Sequence, residues 1–368
     1  MTRDTLAIGS LGQLLDRHWI SLDLGPEHPS RAGLLLIDID HTGGIIRSVR
    51  VRPGHSHRAA EKLFEVRDIR QVLSLADRHD WTAAVHGELL TARAAEHLLG
   101  LPVPARADWA RSLVAEHATI ASHLAHLSFV PFRLGEHDLA SRVRAAREDA
   151  RELLVELTGN RVHPMVIRLG GFGADPTPEW IGLLLDWAAR TRLVTGEVLT
   201  AVEGEEFTVI AGGVGILGSD DVDAYGLAGP ISRASGCHRT PTGSDGPVLD
   251  AGDSRARFAM LALEIEECIA RLDGLCADPA GPGGPIDTKL SKIIKLPEGE
   301  VFIDQEAPMG TAGVHLTSRG GTSPWRLRLR TPSFANVQAL HAALPGTPLH
   351  LADVVVASLG YTIGDLDK

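Results

Sequence analysis

The stretch from Gly54 to Trp81 combines many ionisable side chains with an apolar pattern that is typical of a helix. Leu63, Val66, Ile69 and Leu73 follow spacings of three, three and four, which predicts one helix with one face on a core. Taken alone, these residues favour a solvated, salt-bridged helix, and a polar lining for a buried redox site is the alternative. The charged side chains of the stretch are Arg58, Glu61, Arg70, Asp77, Arg78 and Asp80. Arg78 lies between two of these carboxylates, so we expect it to be ion-paired and fixed in position.

The composition is that of an acidic globular protein. The chain has 368 residues, a formal net charge of −11, 44% hydrophobic residues and 23% charged residues. The negative charge argues against unaided binding to nucleic acid or to an anionic membrane surface. No apolar run approaches the roughly 20 residues that span a bilayer, and residues 1–20 contain no apolar secretory segment.

Few residues are spaced as ligands for a metal or a cofactor. The three cysteines, Cys237, Cys268 and Cys276, form no CxxC pair, and we expect free thiols in a reducing compartment. His123 and His126 are three residues apart and could share a helix face, but no third ligand accompanies them. The sequence lacks a dinucleotide or P-loop pattern, so we expect this chain to bind no metal, NADH or flavin itself.

The first part of the chain is expected to form a small sheet. Residues 1–21 are interpreted as an N-terminal tail and residues 22–54 as a β-hairpin region. Within this region, Leu34–Ile39 and Ile45–Val51 are rich in branched apolar residues, and Gly43–Gly44 between them indicates a hairpin turn.

Helical periodicity follows, and the overall pattern is that of an α+β protein in one integrated unit. Residues 55–276 are interpreted as a helical core of long helices, two of which are expected to end at Gly100 and Gly159. The helix over Gly252–Leu275 is expected to bury Cys268. Residues 277–368 begin with a Gly-Pro link and are interpreted as a smaller C-terminal α/β region, with a hairpin over Val314–Thr317 and Trp325–Arg330.

Short motifs between residues 22 and 368 resemble the D-type subunit of NADH-quinone oxidoreductase (respiratory complex I), the 49 kDa-type relative of the nickel–iron hydrogenase large subunit. They are individually weak, but their common order identifies the chain as a divergent member of that family. The motifs are Gly-Pro-x-His-Pro at His28, His-Arg-x-x-Glu-Lys at Arg58, Asp-Arg-x-Asp-aromatic ending at Trp81, His-x-x-x-x-Arg-x-Gly-Gly at His163, Gly-Pro-x-x-Arg-x-x-Gly at Gly229, Glu-Ala-Pro-x-Gly at Glu306 and Arg-x-Pro-x-Phe at Arg330.

The resemblance implies a hydrogenase large-subunit-like fold: an N-terminal hairpin sheet, a central long-helix bundle and a C-terminal α/β part. It also implies partners: an iron–sulfur small subunit of the B type, a C-type subunit and a membrane subunit of the H type. The terminal iron–sulfur cluster would belong to the partner, with Arg58, Arg78, His163 and Arg168 close to it. Quinone would bind at the interface, and the chain would be peripheral on the cytoplasmic side of a bacterial-type membrane.

Several positions depart from the patterns of these relatives. The two CxxC pairs that hold nickel and iron in hydrogenases correspond here to Asp80 with Ala83 and to Thr362 with Asp365, which offer no thiolate. The quinone-cavity candidates are His28, Ala32, Asp80, Trp81 and Arg133. The histidine, tyrosine and aspartate with which the family contacts quinone correspond to Ala32, Trp81 and Arg133, and none of these can relay a proton near neutral pH.

Two functions follow from the resemblance. The first is a peripheral-arm subunit that lines the cavity between the partner's cluster and the membrane arm, in electron transfer to quinone coupled to proton translocation; the isolated chain would be inactive. The alternative is a non-catalytic scaffold in a divergent complex I-like or hydrogenase-related assembly. A lone metalloenzyme using the 17 histidines lacks support from ligand spacing.

Overall fold

The computed structural model describes residues 3–8, 28–29, 35–238 and 246–368. Within them, the strands are β1 Arg3–Ile8, β2 Leu35–Thr42, β3 Ile45–Arg52, β4 Ile167–Arg168, β5 Gly171–Phe172, β6 Glu298–Ala307, β7 Gly310–Arg319 and β8 Arg326–Arg330. The helices are α1 Ala60–Phe64, α2 Ile69–Ala76, α3 Ala84–Leu99, α4 Ala105–Leu127, α5 Phe129–Arg133, α6 His137–Thr158, α7 Pro178–Glu203, α8 Glu205–Ala211, α9 Ser219–Tyr225, α10 Gly229–Ala234, α11 Ser254–Leu275, α12 Pro332–Gln338, α13 Leu340–Ala343, α14 Ala352–Ser358 and α15 Ile363–Leu366, with a 3-10 turn at Leu349–Leu351. Mixed helices and small antiparallel sheets confirm the α+β class.

The N-terminal sheet has the antiparallel order β1-β2-β3. The predicted hairpin is confirmed, and both turn glycines have positive φ values, of 60° at Gly43 and 79° at Gly44, a conformation that favours glycine. The pairing of β1 with β2 was not predicted, since residues 1–21 were interpreted as a tail. The sheet packs Leu35, Ile37 and Ile39 against helices α12 to α15, so the two ends of the chain share a hydrophobic core.

Five long helices, α3, α4, α6, α7 and α11, form the bundle in the middle of the chain. Helices α3 and α6 end at Gly100 and Gly159 as predicted, and both glycines adopt the left-handed conformation of a C-cap. Asp253 caps α11 by accepting a hydrogen bond from the Ala256 amide, and Cys268 is buried on the core face. In the described part of the chain, the helices are all too short or too polar to cross a membrane.

The C-terminal part has a meander of order β6-β7-β8, which includes the predicted hairpin. Helix α3 packs against β6 and β7, so this sheet and the bundle share one core. The carboxylate of Asp367 accepts hydrogen bonds of 2.7 Å from the amides of Gly54 and Ser56, and it thereby holds the loop that precedes α1.

The single helix predicted through Leu63 and Leu73 is wrong. Asp68 interrupts it: its carboxylate accepts a 3.0 Å hydrogen bond from the Arg70 amide and caps the new helix α2. As a result Leu63 and Val66 are exposed, at 42% and 61%, whereas Leu73 is buried as expected.

A buried ion pair joins the bundle to the turn between β4 and β5. The Arg111 guanidinium donates to both carboxylate oxygens of Glu96, at 3.0 and 2.5 Å, and also to the backbone carbonyls of Arg168 and Gly171. The amide of Gly170 donates to Glu96 at 2.7 Å. Each charge is therefore compensated, and the turn is tied to α3 and α4.

Removing one partner of this pair should destabilise the protein strongly. We expect Glu96→Ala to lower the free energy of unfolding by about 3–5 kcal/mol, because Arg111 would remain buried without its counter-charge. Urea denaturation of the purified chain measures the loss. Glu197→Ala removes a surface partner of Arg142 and serves as the control, with a midpoint close to wild type. Equal midpoints for the two variants would contradict this account.

Candidate functional site

Asp77, at the end of α2, is a buried carboxylate that lies between the partly exposed side chains of Arg78 and His163. Its side chain is 0% exposed, and its two oxygens face Arg78 Nε at 3.0 Å and His163 Nδ1 at 3.3 Å. Burial raises the pKa of Asp77 to about 6, and the Arg78 charge opposes this. Burial and the same arginine lower the pKa of His163. The expected ion pairing of Arg78 is confirmed with Asp77 as the partner.

Glu88 on α3 holds the segment that carries His163. Its carboxylate accepts hydrogen bonds of 2.8 Å from the Met165 amide and 2.9 Å from the Ile167 amide. Met165 has a φ of 48°, a left-handed conformation that is costly for a residue with a side chain. Burial raises the pKa of Glu88 to about 7, and the nearby charge of Asp77 adds to the effect.

The structure brings together some of the residues that the resemblance places near a partner's iron–sulfur cluster. Arg78 and His163 meet at Asp77 and are partly exposed, at 47% and 25% of their side chains. Arg168 is exposed a few residues further on, beside a cavity of about 610 Å³ that Glu88 and Met165 also line. Arg58 is exposed in the loop before α1, and among the described residues no ion pair or hydrogen bond joins it to Arg78 or His163.

Three of the four positions that correspond to the hydrogenase CxxC pairs, Asp80, Thr362 and Asp365, belong to a buried hydrogen-bonded network that includes Ser333. Asp80 accepts from the hydroxyls of Thr82 at 2.7 Å and Thr362 at 3.0 Å, while Asp365 accepts from the Ser333 amide at 3.1 Å. Burial and the charge of Asp80 raise the pKa of Asp365. Ala83 is buried beside them without a polar side chain. Hydroxyls and a backbone amide thus donate hydrogen bonds to both carboxylates.

Two quinone-cavity candidates, His28 and Arg133, meet at Asp353. Arg133 Nε donates to the Asp353 carboxylate at 3.1 Å, and His28 hydrogen-bonds to the backbone of the same residue. His28 is buried edge-on against Phe129, with ring centroids 5.9 Å apart. Burial lowers its pKa to about 3, so the ring is neutral at physiological pH. The Arg133 charge is therefore compensated by the Asp353 carboxylate.

Among the other quinone-cavity candidates, Trp81 lies in a different contact region from His28 and Arg133. Trp81 is partly buried against α15, where a Cβ on Gly364 would lie 2.3 Å from its ring. It lines a small recess of about 50 Å³ with Thr82 and His117. Ala32 lies outside the described residues.

His123 and His126, the histidine pair on α4, each have a hydrogen-bonding partner within the described residues. His123 Nε2 lies 2.9 Å from the Glu264 carboxylate, and His126 Nδ1 lies 3.0 Å from the Ser122 carbonyl. Among the residues with described positions, no three His, Cys, Asp or Glu side chains are arranged to hold a metal ion.

Sequence reasoning missed Glu88 and Asp353 and did not recognise Asp77 as the centre of the site. Glu88 lies in the stretch from Ala83 to Ala95, which is rich in Ala, Val and Leu and is buried at almost every position. A glutamate in such a run must be paired to be tolerated, so its position was a usable signal. Asp353 gives no comparable signal, because its partner Arg133 is distant in sequence.

Glu88→Gln should change how stability depends on pH. The folded protein holds the Glu88 proton up to about pH 7, whereas the unfolded chain loses it near 4.5, so this group's stabilisation falls as the pH rises between those values. Glutamine does not titrate, so the free energy of unfolding of the variant should rise by roughly 3 kcal/mol relative to that of the wild type as the pH goes from the lower to the higher value. Urea denaturation at a series of pH values measures the difference. A curve parallel to wild type would disprove it; the exposed Glu197→Gln is the matched control.

The purified chain should contain no stoichiometric nickel or iron. At the positions that bind these metals in hydrogenases, Asp80 and Asp365 are held by hydroxyl and amide donors, and thiolates are absent. Elemental analysis of protein prepared under reducing conditions tests this. One nickel or iron per chain, lost in Asp80→Asn, would refute the prediction.

Comparison with known proteins assigns the family. The family described as respiratory-chain NADH dehydrogenase, 49 Kd subunit, matches residues 134–240 and 287–368. The chain is 36% identical to the second D-type subunit of NADH-quinone oxidoreductase from Salinispora tropica, over 99% of this chain and 97% of that protein. It is 36% identical to the second D-type subunit of Streptomyces griseus over 100% and 96%, and 31% identical to the D-type subunit of Geobacillus kaustophilus over 94% and 97%. These matches confirm the resemblance: the chain belongs to the family of NADH-quinone oxidoreductase D-type subunits, the 49 kDa-type subunits of that oxidoreductase complex.

Proposed function

We propose that this chain lines the cavity between the terminal iron–sulfur cluster of a B-type partner and the membrane arm of a complex I-type enzyme. Electrons would pass from that cluster to quinone, coupled to proton translocation. The observation that carries the proposal is the Arg78–Asp77–His163 group, which is anchored in the interior and partly exposed at the surface. It supports a position beside a partner's redox centre.

The cluster supplies one-electron chemistry when the partner is bound, and this chain supplies charge and proton-accepting groups. Burial and the Arg78 charge lower the pKa of His163. Negative charge on a neighbouring cluster would favour the imidazolium, for which the Asp77 carboxylate at 3.3 Å is a counter-charge. Arg78 remains cationic throughout. Glu88 and the left-handed backbone at Met165 keep the histidine in place.

The same proposal includes the assembly. The chain would contact B-type and C-type subunits and an H-type membrane subunit, and lie peripherally on the cytoplasmic side of the membrane. Its fold would be that of a hydrogenase large subunit, and the chain alone would be inactive because donor, cluster and membrane arm belong to partners. Quinone would bind at the interface near His28 and Arg133.

A scaffold without quinone chemistry is the second candidate function. Two observations favour it. Arg133 is paired with Asp353, and Trp81 is packed against α15, so neither residue offers a group that relays a proton. Quinone reduction by the purified complex separates the two candidates. Complete assembly without quinone-dependent NADH oxidation would favour the scaffold.

Arg78→Met should lower the midpoint potential of the partner's cluster in the assembled complex. A nearby positive charge stabilises the reduced cluster, and its removal also leaves Asp77 without its cation. Redox titration followed by electron paramagnetic resonance measures the shift. Arg142→Met, which changes a surface arginine on α6, is the control and should leave the potential unchanged. An unchanged potential in Arg78→Met would place the cluster elsewhere and refute the proposed position.

A further inference from the structure

A cleft of about 400 Å³ lies between helix α1, the loop that precedes it and strand β8, and we call it the α1–β8 cleft. Its lining is mostly cationic and includes Lys62 from α1, Arg328 from β8 and Lys368. Among the described lining residues, Glu61 is the one carboxylate. The chain as a whole has a net charge of −11, so this concentration of positive charge is a local feature of the surface.

The carboxylate of Glu61 is already engaged inside the protein. One of its oxygens accepts from Arg326 Nη2 at 2.5 Å, and the other accepts a 2.9 Å hydrogen bond from the Leu329 amide. Arg326 also pairs with Glu65 at 2.8 Å, and the second oxygen of Glu65 lies 2.7 Å from Lys62 Nζ. These contacts join α1 to the edge of β8, and they leave neither glutamate as a partner for the remaining cations of the cleft.

Three cations at the cleft, Arg328, Arg330 and Lys368, have no ion-pair partner among the described residues. Arg330 and Lys368 donate to backbone carbonyls, and Arg328 makes no hydrogen bond within the described part of the chain. Burial lowers the pKa of Lys368, and the two arginines lower it further, whereas Glu61 and Asp365 act in the opposite direction. Positive charge that is crowded in a partly buried cleft is unfavourable, and an anion bound there would compensate it.

The other carboxylates close to the cleft have partners of their own. Asp367 accepts hydrogen bonds from two backbone amides of the loop before α1, at 2.7 Å each. Its backbone oxygen and that of Lys368 lie 3.0 and 2.7 Å from Nδ1 of His57. Asp365 is buried and faces His79 at 3.5 Å. The described part of the chain therefore offers the cleft no free carboxylate, and an anion has to come from another molecule.

Helix α1 carries two further features that its own packing does not explain. Leu63 and Val66 are exposed, although their spacing is that of residues on a core-facing helix. Ala59 lines the cleft as the N-cap of α1 and has a φ of 55°, a left-handed conformation that is costly for a residue with a side chain. Strained backbone of this kind is concentrated at binding sites, and exposed apolar side chains next to charged ones are typical of protein interfaces.

We propose that the α1–β8 cleft is the docking site for an acidic segment of another subunit of the oxidoreductase complex. Carboxylates of that segment pair with Arg328 and Lys368, and an adjoining apolar side chain covers Leu63 and Val66. The guanidinium of Arg328 suits this role, because it binds a carboxylate through two parallel hydrogen bonds. A protein occupant is favoured over a small anion, since the chain belongs to a family of complex subunits and the apolar side chains also need cover. The inference rests on the assembly in the proposed function and specifies the chemistry of one contact in it.

Carbodiimide cross-linking of the assembled complex tests the proposal, because this reagent joins an amine only to a carboxylate in direct contact with it. The chain contains five lysines: Lys62 and Lys368 line the cleft, whereas Lys289, Lys292 and Lys295 precede β6. Mass spectrometry should identify an amide bond between a lysine of the cleft and an aspartate or glutamate of another subunit. Cross-links to other subunits that involve only the three lysines before β6 would overturn the proposal.

Variants at Arg328 locate the contact. Arg328→Lys introduces an amine and should give a new cross-link to the same partner peptide, whereas Arg190→Lys, at a surface arginine on α7, should not. Arg328→Glu reverses the charge and should lower the amount of partner subunit that co-purifies with the chain at least about tenfold, since like charges would then face each other. Arg190→Glu is the matched control and should leave that amount unchanged; equal losses in the two variants would contradict the proposal. Circular dichroism checks that Arg328→Glu is folded, and if it is not, the Arg328→Lys cross-link still decides.

Three further outcomes separate this inference from the proposed function. If the complex assembles and reduces quinone but no lysine of the cleft becomes linked to another subunit, the docking site is wrong and the function stands. If inorganic phosphate at constant ionic strength abolishes the cross-link and leaves the complex intact, the cleft binds a small anion and the docking site is again wrong. If no other subunit co-purifies with the wild-type chain, the proposed assembly fails, and the docking site fails with it.

Discussion

The buried carboxylates Glu88 and Glu96 of α3 hold the segment from His163 to Gly171 against the bundle, and the arrangement of the site depends on them. Glu96 is matched by Arg111 and the Gly170 amide, and Glu88 by two backbone amides. A carboxylate inside a helix bundle is tolerated only when such donors surround it. The segment therefore has one position relative to α2, and His163 comes to lie against Asp77.

Burial also determines which groups can exchange protons. The pKa of Glu88 rises to about 7 and that of Asp77 to about 6, whereas burial keeps His28 and His126 neutral, with pKa values of about 3 and 4. Carboxyl groups that titrate near neutral pH and imidazoles that remain neutral are suited to hold and pass protons. The same low-dielectric surroundings thus organise the fold and adjust its chemistry.

Two of the positions that differ from the relatives' patterns, Arg133 and Asp80, have local hydrogen-bonding partners. Arg133 is compensated by Asp353, and Asp80 is compensated by the hydroxyls of Thr82 and Thr362. At Arg133 and Asp80 the departure from the relatives' patterns therefore leaves a polar group with hydrogen-bonding partners instead of an isolated charge. A redox function at this site would have to take its protons from groups outside those positions.

The sequence by itself determined the α+β class, the hairpin at Gly43–Gly44, the helix ends at Gly100 and Gly159 and the family, because these depend on local periodicity, turn chemistry and ordered motifs. It also indicated the Arg78 ion pair, since a carboxylate adjoins that arginine. Only the tertiary structure decided the break at Asp68, where capping and contacts of α1 with β8 outweigh the apolar spacing. The structure likewise decided the pairs His163–Asp77, Arg133–Asp353 and His123–Glu264. Their members are separated by 86, 220 and 141 residues, and no local rule predicts which buried charges will meet when helices pack.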